Sequence, residues 1–471
     1  MVDLDRMLFD SRKMGVFHFD METCEMSHVK DLSLIPPPPP SPAHSMNMDY
    51  GDTHALEHIM AVMGMDRCIS ALGSGNDDTI FALVEYCICV SDIGRCEAVT
   101  WYEGNQVRLS HPKANLASQR ISDAIEVIGD QDSHRSFFME YLPLVTGDKR
   151  IMAAIDSKGV VNAIDSEMTQ VSNHNGDVSV EVRLITVVQI GTGMPVYFRT
   201  VPGNVLDAVT LTQTLDRLKS LGVDVAFTVV DAGYCTISNM KELSKRRVNF
   251  VTRLKPNLCL FKELFESYGD GLESEDNMVP YNGRIAYVER VQCLIGDGVT
   301  GYGYLVLDTK KRHTEMTKAA EKYERGEIAM SELQDVVRSA GRFALMSSFM
   351  IPEDTVLANY YLRQTAEQYI DLVNGYASPS PIRSHDAVKM NGAFMLSFIA
   401  SAVLRRMQIL LEGTGIPVRN ALLALRNQKC LVYEGHIHID EVCGKPAKAY
   451  KALGMKQESH RYLDGNTYRE I

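Results

Sequence analysis

The sequence predicts a mixed α/β protein in which a helical region precedes a sheet core, and an insertion separates that core from closing helices. Three observations carry this. Apolar residues recur at helical spacing through 51–150, then give way near Val160 to β-branched and aromatic runs. From Asp207 to Leu254 the pattern alternates helix, strand, helix, strand, the rhythm of a layered sheet. With 471 residues, the chain has room for several units of about 100–200 residues each.

Residues 1–50 form an acidic leader with a polyproline II spacer, Pro36 to Pro40 followed by Ser41-Pro42, which has little means of packing. Its start, MVDLDRMLFDSRKMG, lacks the continuous apolar stretch of a secretory signal. In 51–150, Leu56, Ile59, Met60 and Met63, then Ile80, Leu83, Val84 and Cys87, mark helices divided by Gly73-Ser74-Gly75-Asn76. Leu116, Ile121, Ile125 and Ile128 mark another. The core begins in 151–255. Runs 180–190 and 196–201 flank Gly191-Thr192-Gly193, a hairpin signature. Helix 207–221, apolar strand 223–230, helix 237–247 and strand 248–254 follow. Residues 256–345 break the rhythm with strand-like runs at 284–295, 302–308 and 342–348 around a charged helix, and constitute a β-containing insertion. In 346–430 the stretches 355–373 and 386–411 are long helices, and 431–471 is a helical tail.

Composition excludes little beyond a disordered, collagen-like or membrane-spanning chain. Apolar residues make up 45% and charged residues 23%, mean hydropathy is −0.11, and the longest apolar run, 393–404, ends at Arg405-Arg406. Ten cysteines without a CxxC pair predict reduced thiols and a cytoplasmic location. Net charge is −12. Residues 1–160 carry 13 basic and 24 acidic side chains (13 − 24 = −11), and the remaining 35 and 36 leave residues 161–471 near neutral. That part holds basic clusters at 245–247, 253–255, 310–312 and 405–406, so global acidity does not exclude nucleic acid.

Asp231 ends the apolar run 227–230 and precedes Ala232-Gly233, where open α/β sheets place ligands. A turn-forming aspartate is the bland alternative. Asp165 ends 160–164, and Asp156, at the end of 151–155, is its rival. Tyr360, Arg363 and Glu367, three and four apart, fall on one face of the 355–373 helix. A surface ion pair beside an aromatic would give the same spacing. Two strand-end aspartates and a helix glutamate can hold two divalent cations about 3.5–4 Å apart, which activate a hydroxyl and stabilise a leaving oxygen at phosphorus. Hard oxygen donors suit two Mg²⁺, with Mn²⁺ as a substitute.

Four stretches in order then resemble the DDE transposases of insertion sequences, on the ribonuclease-H-like fold. They are AIDSEMTQVS, TGMPVYFRTVPGNVLDAVTL, VVDAGYCTISNMKELSKRRVNFVTRLKPN and YYLRQTAEQYIDLVN, followed by MNGAFMLSFIASAVL. The branch resembled carries a Tyr-x2-Arg-x3-Glu-x6-Lys signature, here Tyr360, Arg363, Glu367 and Asn374. The resemblance, over about residues 55–430, implies Asp165, Asp231 and Glu367 as catalytic, metal-holding carboxylates. Asp165 is preferred to Asp156 because SEMTQVS follows it, where the family has a Ser/Thr-rich turn. It implies DNA phosphate contacts from Tyr360 and Arg363, aided by Arg253 and Lys255. Asn374, in place of lysine, removes one such contact. The 136 positions between Asp231 and Glu367 (367 − 231) match relatives with a β-rich insertion there. The implied function is metal-dependent cleavage at element ends and strand transfer into target DNA, by a homodimer on paired terminal inverted repeats. No membrane is implied.

Two alternatives remain. One is a transposase-derived protein that still binds DNA and no longer cuts it. The other is a zinc metalloprotease through HxxEH at 54–58, with His54 and His58 one turn apart and Glu57 between them. A five-residue pattern with two free positions also arises by chance at a solvated helix start. Cys87 and Cys89 with Cys96 could suggest a metal, but the Cys87-x-Cys89 pair reads as two small apolar residues of a packed helix, and His436 and His438 alternate as in a strand or loop.

Overall fold

The computed structural model describes residues 7–10, 15–19, 26–28, 45–90, 95–147, 150–162, 164–172, 178–376, 384–433, 436–456, 458, 460–464 and 467–470. The Pro36 to Pro42 spacer and Cys24 lie outside them. Three short strands, β1 (Met7–Asp10), β2 (Gly15–Phe19) and β3 (Met26–His28), form an antiparallel sheet within the leader. Next come β4 (Met46–Asp49) and the helices α1 (Gly51–Met63), α2 (Met65–Ala71), α3 (Asp77–Cys89), α4 (Ala98–Glu103), α5 (Val107–Ser110), α6 (Ser118–Ile128) and α7 (Gln131–Thr146). Caps explain two of the starts: Asn76 accepts from Thr79 N before α3, and Asp130 from Asp132 N and Ser133 N before α7.

The sheet begins with β5 (Ile151–Val161), β6 (Gln170–Ser172), β7 (Ser179–Gln189) and β8 (Pro195–Pro202). Gly191 and Gly193, at φ 99° and 68°, make the β7–β8 turn, a backbone region that favours glycine. Helix α8 (Asp207–Ser220) leads to β9 (Val225–Val230), and α9 (Ile237–Lys245) to β10 (Asn249–Arg253). Strand β5 pairs antiparallel with β7 and parallel with β9, which pairs parallel with β10. The order β8-β7-β5-β9-β10, with β7 antiparallel to both neighbours and β5, β9 and β10 parallel, is the ribonuclease-H-like arrangement.

After α10 (Cys259–Tyr268), β11 (Met278–Tyr281), β12 (Arg284–Gly296) and β13 (Val299–Asp308) form a meander. It is followed by α11 (Thr309–Glu324), α12 (Met330–Ser339) and β14 (Arg342–Ser347), which pairs antiparallel with both β13 and β10. The strands of this region therefore extend the core sheet to ten strands. The charged helix expected within this insertion is split into α11 and α12.

The single helix read over 355–373 is also two: α13 (Glu353–Tyr361) and α14 (Gln364–Tyr376). Between them Arg363 N bonds Tyr360 O and Ala366 N bonds Arg363 O, tight i to i+3 turns that redirect the axis. Helix α15 (Ala387–Leu411) is capped by Asp386 and runs past Arg405-Arg406. It is long and apolar enough to cross a membrane, with mean hydropathy 1.5, yet 78% of its apolar window is buried inside the protein. Gly392 allows α6 to cross it closely: a Cβ there would stand 1.9 Å from Ile125 O.

The predicted helical tail is instead mostly strand. After α16 (Val418–Arg426) come β15 (Lys429–Tyr433), β16 (His436–Ile439), α17 (Lys445–Ala452), β17 (His460–Asp464) and β18 (Thr467–Glu470). Strand β15 pairs with β4, and Met48, Tyr50, Cys430, Val432, Ile437 and Ile439 make a small core of their own. A strand whose partner lies almost four hundred residues earlier leaves no local signature.

Candidate active site

Strand alternation places the two strand aspartates. Ala154 of β5 and Val229 of β9 are buried against α13 and α14, in a core that includes Val356, Leu357, Ala366, Tyr369 and Val373. Ala153, Ile155 and Val230 belong to the core on the opposite face. Asp156 and Asp231, two residues beyond Ala154 and Val229, therefore point to the α13–α14 side. Ile155 and Val230 are register partners on parallel strands, which sets the two aspartates side by side, one strand spacing of about 4.8 Å apart.

Arg363, at the α13–α14 junction, sits among three carboxylates. Its Nη2 lies 2.8 Å from Glu367 Oε1, and its Nη1 lies 3.9 Å from Asp231 Oδ1 and 4.0 Å from Asp156 Oδ2. The Tyr360 hydroxyl donates to Asp231 Oδ1 at 3.5 Å, and the guanidinium carbon stands 5.8 Å from the Tyr360 ring centre. Burial pushes the Asp156 carboxyl up to about 6, with Arg363 opposing and Asp231 and Glu367 reinforcing the rise. Burial opposes the Arg363 charge, but Asp231, Tyr360, Glu367 and Asp156 outweigh it and raise its pKa. Burial likewise pushes the Tyr360 hydroxyl up to about 12. Arg363 Nε is buried without a hydrogen-bond partner.

The structure brings Asp156, not Asp165, into this group. Five residues of strand, about 17 Å, separate Asp156 from Val161. Asp165 lies beyond them with an exposed side chain, its carbonyl 2.9 Å from His385 Nδ1. The Ser/Thr turn that favoured Asp165 is present as a local feature, Ser166 Oγ to Thr169 Oγ1 at 2.8 Å, but it turns the chain toward β6. A strand neighbour across the sheet, invisible in sequence, sets Asp156 beside Asp231.

Asp207, at the start of α8, supports the site from the other face. It accepts from Ser157 Oγ at 2.6 Å and from Arg183 Nη1 at 2.8 Å. A Cβ on Gly233 would come 2.7 Å from Asp207 Oδ2, which accounts for glycine in the turn after Asp231.

The other predicted residues are spread around this centre. Lys255 Nζ donates to Gly233 O at 3.3 Å, in that same turn. Arg253 stacks its guanidinium 5.1 Å from the Phe343 ring centre and lines a groove of about 740 Å³ whose wall carries Lys311, Lys318, Lys322, Arg338 and Arg342 against Glu315 and Glu332. Asn374 is exposed, and its Oδ1 accepts a hydrogen bond from Lys158 Nζ. Lys158 was missed by sequence reading. It stands two residues after Asp156 on the same face of β5, so a cation reaches the Asn374 position from the sheet. Burial lowers the Lys158 pKa, and Asp371 opposes that.

Hard oxygen donors from Asp156, Asp231 and Glu367, three carboxylates around a single arginine, fit a divalent cation such as Mg²⁺ or Mn²⁺. Their oxygens do not all lie within 4.8 Å of one another. Among the described residues, the only three His, Cys, Asp or Glu side chains that meet that limit are Glu57, Glu85 and His111. His54, Glu57 and His58 do not, and His54 stacks on Tyr50 at 4.8 Å, so the HxxEH motif does not assemble as a metal site. The described cysteines are all free.

Residues 153–376 of the chain match a family model described as the transposase DDE domain. The matched segment includes Asp156, Asp231 and Glu367. No curated protein matches the chain. Among solved structures, the piggyBac transposase synaptic complex with hairpin DNA aligns with a TM-score of 0.43 and 11% identity, over 80% of this chain and 70% of that one. The ribonuclease-H-like fold rests on the strand order above.

Proposed function

We propose, from the match of residues 153–376 to a transposase DDE domain, that the protein is a DNA transposase that cuts at the ends of an element and joins them to target DNA. Asp156, Asp231 and Glu367 would hold Mg²⁺, with Mn²⁺ as a substitute. The bound cations supply an activated hydroxyl and charge neutralisation at phosphorus. The observation that carries the reading is the convergence of Asp156, Asp231 and Glu367 on Arg363 within the matched segment.

The chain's own groups have separable tasks. Arg363 neutralises the carboxylates where they crowd, and its fork suits a phosphate placed between them. Tyr360 holds Asp231 through its hydroxyl. Lys158 and Lys255 bring positive charge to either side of the aspartates, and the Arg253 groove offers a longer basic surface for the DNA backbone. The resemblance to DDE transposases implies a second copy on a paired DNA end, so the proposal includes a homodimer on DNA.

The test is cleavage of a plasmid carrying the DNA that flanks this reading frame, in Mg²⁺ or Mn²⁺. Nicking at the junctions, lost in Asp231→Asn while DNA binding persists, supports the proposal. Binding without metal-dependent cleavage in the unaltered protein would favour the non-cutting descendant instead.

A further inference from the structure

A second cluster lies in the helical region, independent of the proposed transposase site. Glu57 of α1, Glu85 of α3 and His111, which ends α5, each present one ligand atom, and these atoms all lie within 4.8 Å of one another. Glu85 is fully buried, and neither of its carboxylate oxygens has a hydrogen-bond partner. A buried carboxylate left in that state is costly. His111 Nε2 stands 3.6 Å from Glu85 Oε1, too far for a hydrogen bond. It is close to the roughly 3.3–3.5 Å that separates two ligands on a tetrahedral ion with bonds of about 2.0–2.1 Å.

The groups around the three are arranged as an outer shell. Glu57 Oε1 accepts from Gln106 Nε2 at 2.9 Å and from Ser110 Oγ, which aims the carboxylate inward. The second ring nitrogen of His111, Nδ1, faces Asp78 Oδ1 at 3.7 Å, beyond direct hydrogen-bond distance. The ring is held flat against Phe81, 4.8 Å away and 6° from parallel. Glu57 and Glu85 set two carboxyl groups against one imidazole, oxygen and nitrogen donors that a divalent ion would join.

We propose that Glu57, Glu85 and His111 bind one divalent transition-metal ion, of the zinc class that accepts mixed nitrogen and oxygen donors, cross-linking α1, α3 and α5. The ion ties together three elements that are not consecutive in the chain, and it explains why a glutamate with no hydrogen bond is tolerated at the centre of a helical core.

The experiment uses the full chain carrying Asp231→Asn and Glu367→Gln, so that the other carboxylate group cannot account for binding. After treatment with a chelator, Zn²⁺ is titrated by calorimetry, metal content is measured after desalting, and thermal unfolding is followed with and without Zn²⁺. One equivalent of zinc and a higher unfolding temperature are expected. Glu57→Gln and His111→Gln, at partly exposed positions, abolish both effects, and Ser110→Ala weakens binding by about 10-fold to 100-fold. Glu85→Gln, isosteric and uncharged, also loses the ion. If it fails to fold, the Co²⁺ absorption bands of the parent, lost in His111→Gln, report the same ligand. No stoichiometric zinc in the parent overturns the proposal, as does zinc binding unchanged in both Glu57→Gln and His111→Gln. In either case the cluster is a His111–Glu85 ion pair.

Discussion

Asp156 and Asp231 are neighbours because Ile155 and Val230 are partners in a parallel pair of strands. The relation fixes their side chains to one face of the sheet. The α13–α14 junction crosses that face, so Arg363 reaches both carboxylates at 4.0 and 3.9 Å while it pairs with Glu367.

This geometry separates Asp156 from Asp165 experimentally. Asp156→Asn is expected to lower strand cleavage by about 10³-fold or more, as loss of a group that acts in a unit does. Asp165→Asn, with its exposed side chain, should retain cleavage close to that of the parent. Rates on the same flanking-DNA plasmid decide it, and loss in Asp165→Asn alone would reverse the assignment.

Arg363 stands where positive charge is needed in the absence of metal. Arg363→Ala should destabilise the metal-free protein by about 2 kcal/mol, the scale of a charged hydrogen bond lost from a partly buried group. Mg²⁺ should then raise the unfolding temperature more in the variant than in the parent. Equal Mg²⁺ shifts would mean that the guanidinium and the cation do not share the carboxylates.

Lys158 supplies the cation at the Asn374 position. Lys158→Ala is expected to weaken DNA binding several-fold and to lower the slope of log affinity against log salt by about 1, the loss of one phosphate contact. Fluorescence anisotropy across a salt series measures it. An unchanged slope would leave Lys158 as a spacer for Asn374.

His134 of α7 makes a pH-dependent contribution to stability. Burial pushes its pKa from 6.5 down to about 4, its Nε2 has no hydrogen-bond partner, and its ring lies 5.4 Å from that of Phe198. The unfolded chain therefore takes up the proton first as pH falls. Stability is unaffected above about pH 6.5 and declines toward pH 4, by about 3 kcal/mol at most. His134→Leu should flatten the difference in unfolding free energy over that window, measured by denaturant titration at several pH values.

Gly392 sets the approach of α6 to α15. Gly392→Ala drives a methyl group against Ile125 O and should cost about 3 kcal/mol, the upper end for overpacking. A thermal midpoint unchanged by the substitution would show that the two helices can separate at little cost.

Local patterns carried much of the architecture. The β7–β8 hairpin was legible from two β-branched runs around Gly191-Thr192-Gly193, and α8, β9, α9 and β10 from alternating apolar periods. Asp231 was legible because an apolar strand ends at it, and Glu367 because of its spacing from Tyr360 and Arg363. Elements that depend on distant partners were not. Strand β15 needs β4 to complete its pairing, and the break at Arg363 is made by backbone bonds of Arg363 N to Tyr360 O and Ala366 N to Arg363 O, which the side-chain spacing does not announce.

By itself the sequence determined the order of helices and strands through 180–254, the positions of Asp231, Glu367, Tyr360 and Arg363, and the transposase resemblance, because each is written in residues close together along the chain. Only the tertiary structure decided that Asp156 joins them, that Lys158 reaches Asn374, and that Glu57, Glu85 and His111 meet. Those choices depend on strand register and helix crossing, which bring together side chains from separate elements, and no local periodicity encodes that proximity.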